Sequence, residues 1–412
     1  MSETRTSIRA EFPGLLLRPW FVVTLACLIY SLAVVAMNNG DPLALVTIGT
    51  RFSENLSVES GGTEGYDGQF VYYIANDLST AARFIRQGDD VPAYRFQRIL
   101  LPALAIVFSL GQASLIPWVL LIINLIALAA GTALLENLLR RYKVNRWYAL
   151  GYGFALGTFG AARLSLPEPL CYALVLGAIV LAKREKWLMS AALFALAVLA
   201  KETALLFVAG YGLYLLSQKQ WRTMILFGLI AATPFALWQI ILRWKFGAFG
   251  VGSGGALATS FEVIPFGGIL RILIGAGITY EASVLPFGNL PFIHTQTAFI
   301  PGLLVIFLIF LLLLTPFVIF PTLWALRESW KAFRSRAITP TIGLLFANAA
   351  IMLFVPFSTY REPLGILRFV VGLQIAILVY AAEKRSGRTL LNSTIYAYTV
   401  LLILAWDFST PR

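Results

Sequence analysis

Long apolar runs alternate along this chain with short charged clusters. About 20 apolar residues cross roughly 30 Å of hydrocarbon as a helix, and helices inside a bundle can be shorter. By that length the pattern predicts spans near residues 20–37, 114–138, 147–166, 169–182, 187–200, 203–217, 222–242, 299–326, 338–357, 366–382 and 389–407. The expected fold is an all-α polytopic membrane protein of about 11 transmembrane helices, within a range of about 9–13, forming a single domain over 1–412. The runs 99–113 and 263–278 read as re-entrant or interfacial helices. Two polar stretches break the rhythm, a first loop over 38–98 and a second over 243–298.

Composition agrees with this pattern. The 412 residues are 59% hydrophobic and 13% charged, with a mean hydropathy of +0.79, outside the range of soluble globular chains. A formal charge of +12 raises nucleic acid as a partner. The basic residues instead come as clusters between apolar runs, as the positive-inside rule requires, so no nucleic acid is expected. With a cytoplasmic N-terminus, the cytoplasmic side receives 19 of the 32 basic residues and six acids. The other side receives 13 basic and 14 acidic residues. The expected location is therefore the cell membrane, multi-pass, with an extracytoplasmic site. Cys27 and Cys171 fall inside apolar runs, which argues against a disulfide framework. The first apolar run lacks an Ala-x-Ala cleavage pattern and reads as an anchor.

That orientation gathers ionisable residues on one face: the loop around Asp67, Pro167-Glu168-Pro169, Lys201-Glu202-Thr203, the second loop and Tyr360-Arg361-Glu362-Pro363. Asp67 precedes a run, Gly68 to Asp77, that suits an amphipathic helix along the membrane, and it is either a catalytic carboxylate or the N-cap of that helix. Gly68 beside it allows a substrate or a backbone to come close. Arg95 and Arg98, three residues apart, share a helix face and suit either a phosphate or lipid headgroups. Lys201-Glu202 interrupts an apolar stretch of 30 residues, which as one helix would be about 45 Å long, so the pair marks a turn. It is either functional or a mutually neutralising pair. Glu168, between two prolines, is either solvated or turned to the site. Arg361 and Arg368 are two helical turns apart and line one side of the tenth predicted span, with Glu362 neutralising one of them. A phosphate clamp and a structural ion pair fit them equally well. His294, the one histidine, excludes His-rich zinc sites, and no Walker loop, dinucleotide fingerprint or CxxC pair is present.

Tyr66-Asp67-Gly68 with Tyr73-Ile74-Ala75, the Pro-rich re-entry from Arg98 to Pro102, Pro167-Glu168, and Lys201-Glu202-Thr203-Ala204-Leu205 together resemble the GT-C superfamily of integral membrane glycosyltransferases, most of all its GPI-type mannosyltransferase branch. The resemblance covers roughly 60–245. Three departures stand out: Tyr66 where the family usually has Trp, Pro-Glu-Pro in place of a longer motif, and Lys201 where Arg is usual. The resemblance implies transfer of a hexose or mannose-like sugar from a lipid-linked, polyprenyl-phosphate donor to a glycan, lipid or protein acceptor, with inversion at the anomeric carbon. It implies Asp67 as base, with Glu168 or Glu202 assisting. Arg95, Arg98, Lys201 and Arg361 would then bind phosphate, and Tyr66, Gln69 and Tyr73 would contact sugar or acceptor. Mg²⁺ or Mn²⁺ would suit the carboxylate and phosphate oxygens, although no ligand spacing demonstrates a metal. Two other readings compete. A transporter or flippase would line a path with the same charges, but no repeat of the Tyr66 to Ala75 region occurs in the second half. A polysaccharide polymerase or ligase would use the second loop.

Overall fold

A computed structural model describes residues 18–50, 65–86, 91–254, 258–274 and 301–409. His294 and residues 275–298 of the second predicted loop lie outside these residues. Every regular element among the described residues is helical, with no strand. The first half comprises α1 (Pro19–Met37), α2 (Gly68–Asn76), α3 (Ala81–Arg86), α4 (Pro92–Phe96), α5 (Leu100–Ser109) and α6 (Ile116–Arg141). After a broken segment come α7 (Glu168–Ala182), α8 (Trp187–Ala200), α9 (Leu205–Ser217), α10 (Trp221–Phe246) and α11 (Gly267–Ile274). The second half holds α12 (Pro301–Leu314), α13 (Phe320–Arg334), α14 (Pro340–Met352), α15 (Phe357–Arg361), α16 (Pro363–Phe369), α17 (Val371–Glu383), α18 (Gly387–Ser393) and α19 (Val400–Ser409). Proline opens α1, α4, α6, α7, α14 and α16, where its fixed φ suits the first turn and its missing N–H costs nothing.

Among the described residues, six helical stretches are long and apolar enough to cross a membrane: Pro19–Met37, Ala113–Arg141, Trp221–Phe246, Leu308–Arg334, Pro363–Glu383 and Gly387–Asp407. Five apolar helices of 10–17 residues join them, Leu100–Ser109 among them. The chain is a helical, membrane-embedded protein. Pro363–Glu383 is almost wholly buried at the centre, whereas Trp221–Phe246 turns Ile225, Leu229, Leu237 and Ile240 outward, as lipid contact requires.

The predicted span 147–166 is not one helix. Short turns at Arg146–Ala149, Leu150–Gly153 and Ala161–Arg163 flank a π-helical turn at Leu156–Gly160. Four glycines, at 151, 153, 157 and 160, weaken the helix, and the Thr158 hydroxyl donates to backbone carbonyls of Tyr152 and Ala155. A side chain at Gly157 would run into Val371 and the Leu367 carbonyl, so this segment lies against the central helix. The expected surface helix exists as α2, but it is packed in rather than lying exposed: Phe70, Val71, Tyr73, Ile74 and Ala75 are all buried.

Two polar layers fix the helix directions. Glu168 and Lys183 lie 15 residues apart at the two ends of α7, and Arg368 and Glu383 lie 15 apart along α16 and α17. Arg368 bonds Glu168 at 2.7 Å and Lys183 bonds Glu383 at 2.9 Å, so the two stretches run parallel. Fifteen helical residues rise about 22 Å, less than a hydrocarbon layer of roughly 30 Å, so both layers cannot lie outside it.

Candidate functional site

The site forms where four interruptions in the helices meet at the Glu168 end of the bundle. The first is the turn into α2. Gly65, at a φ of +66°, turns the chain, and a Cβ on Gly68 would collide with the Leu164 carbonyl, so the start of α2 sits directly on the broken segment. The closeness of Gly68 thus serves backbone packing. Asp67 occupies the N-cap position but makes no capping hydrogen bond. Its Oδ1 instead accepts from Arg95 at 2.7 Å and its Oδ2 from Arg368 at 2.9 Å.

The second interruption is Pro167-Glu168-Pro169 at the head of α7. Glu168 is not solvated; its side chain is 0% exposed. Its Oε1 accepts from both Lys201 Nζ and Arg368 Nε at 2.7 Å, while Oε2 is buried with no hydrogen-bond partner among the described residues. The third is Lys201, whose extended backbone separates α8 from the turn Glu202–Ala204 leading into α9. Lys201 and Glu202 do not neutralise one another: Lys201 bonds Glu168, and Glu202 takes a two-pronged bond from Arg98, at 3.0 Å from Nε and 2.7 Å from Nη2. The fourth is the break between α15 and α16. Pro363 starts a new helix there, so Arg361 and Arg368 do not line one helix face as expected. Arg361 ends α15, and its charge acts on the neighbouring Glu362 carboxylate.

The result is an alternating chain of charges, Arg95, Asp67, Arg368, Glu168 and Lys201, beside the Arg98 and Glu202 pair. Aromatic faces set the guanidinium planes: Arg95 lies 4.0 Å over Phe70, and both Arg95 and Arg98 lie 5.1 Å from the Tyr94 ring centre. Arg95 and Arg98 therefore face the cluster and do not snorkel to headgroups. The Tyr66 hydroxyl accepts from Arg368 at 3.0 Å and donates to Glu362 at 2.7 Å. Like Asp67, Glu362 stands at an N-cap position without capping its helix.

The carboxylates differ in character. Asp67 is 30% exposed and Glu202 25%, against 0% for Glu168, so Glu168 organises the cluster from beneath. Burial alone would raise the Asp67 carboxyl, but Arg95, then Arg368 and Arg98, outweigh it and hold the group well below the usual carboxylate range. Glu362 moves the other way: burial and then the Asp67 charge push it above its ordinary value despite Arg368 and Arg361. Burial, followed by the Glu362 charge, pushes the Tyr66 hydroxyl well up.

Of the other expected contacts, Gln69 braces the loop by accepting from the Gly49 N–H at 3.0 Å, and Tyr73 stacks on Phe84 with ring centres 4.8 Å apart. Both are buried, and neither joins the ionic chain in any bond described above. Among the described residues no three His, Cys, Asp or Glu side chains converge on a metal position. Both Asp67 oxygens, both Glu202 oxygens and one Glu168 oxygen already hold cationic side chains, so this donor set does not fit a divalent ion.

Sequence reading undervalued Arg368, which touches Asp67, Tyr66 and Glu168 at once. It also missed a brace below the site. Buried Arg163 bonds Asp407 through two nitrogens and donates to the Ala44 carbonyl and the Thr47 hydroxyl, while the Thr47 carbonyl accepts from the Tyr66 N–H at 2.9 Å. Tyr30 donates to Asp407 at 2.6 Å. An arginine in the interior of an apolar run is the signal for both, since charge at membrane depth persists only with a partner. No family model, curated protein or solved structure matches this chain.

Proposed function

We propose that the protein is a membrane glycosyltransferase of GT-C-like architecture, with about 11 crossings, a cytoplasmic N-terminus and an extracytoplasmic site. It transfers a hexose or mannose-like sugar from a polyprenyl-phosphate donor to an acceptor hydroxyl, with inversion. The observation that carries this reading is the gathering of Arg95, Arg98, Lys201, Arg361 and Arg368 around four carboxylates, two of which, Asp67 and Glu362, adjoin one another across Tyr66 and Arg368. Cations exceed carboxylates by one, which suits a ligand that brings a phosphate. Such a transfer builds negative charge on the departing phosphate, and fixed guanidinium groups stabilise it. It also needs a carboxylate for the acceptor proton.

The test is sugar transfer in membranes from a panel of radiolabelled polyprenyl-phosphate sugars, comparing the native chain with Asp67→Asn at matched expression. Donor-dependent product is expected from the native chain, with a loss of at least about 100-fold in the variant. Equal product from both overturns the role of Asp67. No product with any donor overturns the reading and favours transport along the same charges.

A further inference from the structure

We propose that Glu362 takes the proton of the acceptor hydroxyl, and that Asp67 is the anchor that positions Arg95 and Arg368 for the departing phosphate. This rests on the transfer reading above and assigns roles within the same site. In the step, a lone pair of the acceptor oxygen forms the new bond to the anomeric carbon. The bond from that carbon to the phosphate oxygen breaks, its electron pair stays on the phosphate, and the acceptor proton passes to the Glu362 carboxylate.

The argument begins with what each carboxylate already holds. Asp67 gives each of its oxygens to a guanidinium, Glu202 gives both to Arg98, and Glu168 lies under the cluster at 0% exposure. Glu362 is the exception. Half-buried, it has one hydrogen bond among the described residues, from the Tyr66 hydroxyl to Oε1, which leaves Oε2 for an incoming hydroxyl. Pro363 fixes the start of α16 immediately after it, and the carboxylate is not used to cap that helix. A general base works best when its proton affinity lies near the working pH. Asp67, clamped by two arginines, is held away from that range, whereas burial and the Asp67 charge move Glu362 towards it. The groups facing Glu362 are Tyr66 and Asp67 from the first loop, Arg361 beside it and Arg368 one helix turn and a half further on. Arg271 on α11 is engaged by Glu262, and Asp407 on α19 by Arg163.

The experiment measures transfer from pH 5 to pH 9, together with retention of the donor by filter binding, for native protein, Glu362→Gln, Glu362→Asp and Asp67→Asn. The probe is the polyprenyl-phosphate sugar that yields product with the native chain. Protonated Glu362 cannot accept a proton, so native kcat/KM should fall as pH drops through a range above that of ordinary glutamate. Glu362→Gln should retain donor normally, lose about 10²–10⁴-fold in kcat, and lose that acid limb. Asp67→Asn should lose donor retention, and the limb of its residual activity should move to lower pH, because the Asp67 charge that raises Glu362 is gone. An acid limb that survives in Glu362→Gln, or that stays at its native position in Asp67→Asn, overturns the assignment. Should Glu362→Gln fail to fold, as judged by its elution profile in detergent, Glu362→Asp decides, and a native rate with an unmoved limb overturns it. Absence of native transfer with every donor is a different result, and it removes the transfer reading itself.

Discussion

Glu168 holds two cations on one oxygen, and removing it strands Lys201 in a buried site and leaves Arg368 to Asp67 and Tyr66. Breaking a buried pair by deleting one partner costs about 3–5 kcal/mol, because the remaining charge keeps its desolvation penalty. Glu168→Leu should therefore lower stability by about that amount in detergent unfolding. Lys201→Met should cost less, since Glu168 keeps Arg368; the reverse order would make Lys201 the organiser. At this scale the sequence was informative about which residues carry charge and much less about which partners they take. Lys201 and Glu202 are neighbours in the chain, yet an extended residue between two helices sends their side chains to Glu168 and Arg98. Asp67 and Glu362 look like caps by position, but an N-cap is worth only about 1 kcal/mol, and both carboxylates instead bond to side chains of the cluster.

At the scale of elements, the site depends on how closely α2 approaches the broken segment after α6. Gly68 is the point of contact, its α-carbon facing the Leu164 carbonyl with no room for a methyl group. Gly68→Ala should push the start of α2 away without changing any charge. Displacing a catalytic group by about 1 Å can cost 10²-fold, so transfer should fall by about 100-fold while the protein still elutes as a folded species. Unchanged activity would mean that the position of α2 is not critical. The ends of α1, α7 and α8 were legible from apolar length, with proline at the start of α1 and α7, whereas of α17 only the C-terminal end was. The segment from Arg146 to Arg163 was not. Its composition is that of a span, and only its packing against Val371 and Leu367 makes four glycines worth more than a continuous helix. A similar economy appears where α9 crosses α14, since Gly210 and Gly343 bring the two backbones into contact.

For the whole molecule, the parallel run of α7 with α16 and α17 makes the two polar layers the two ends of one bundle, and the proposed orientation assigns each a side. In that orientation the Asp67 end would carry the proposed transfer chemistry on the outer side, and the end with Lys183 and Glu383 would face the cytoplasm. Thiol labelling can decide this, because Cys27 and Cys171 are both fully buried and should stay silent towards a membrane-impermeant maleimide. Ser79, exposed just before α3, marks the Asp67 end. Gln218, exposed after α9, marks the other, because α9 starts beside Glu202 and runs away from the site. Both replaced residues are uncharged, so neither substitution disturbs the basic clusters that set orientation. In intact cells Ser79→Cys should label and Gln218→Cys should label only after the membrane is permeabilised. The opposite pattern would put the cluster on the cytoplasmic side. A donor of cytoplasmic origin would then reach Asp67 and Glu362 without crossing the membrane, and the basic residues at the other end would need a reason other than topology for their excess.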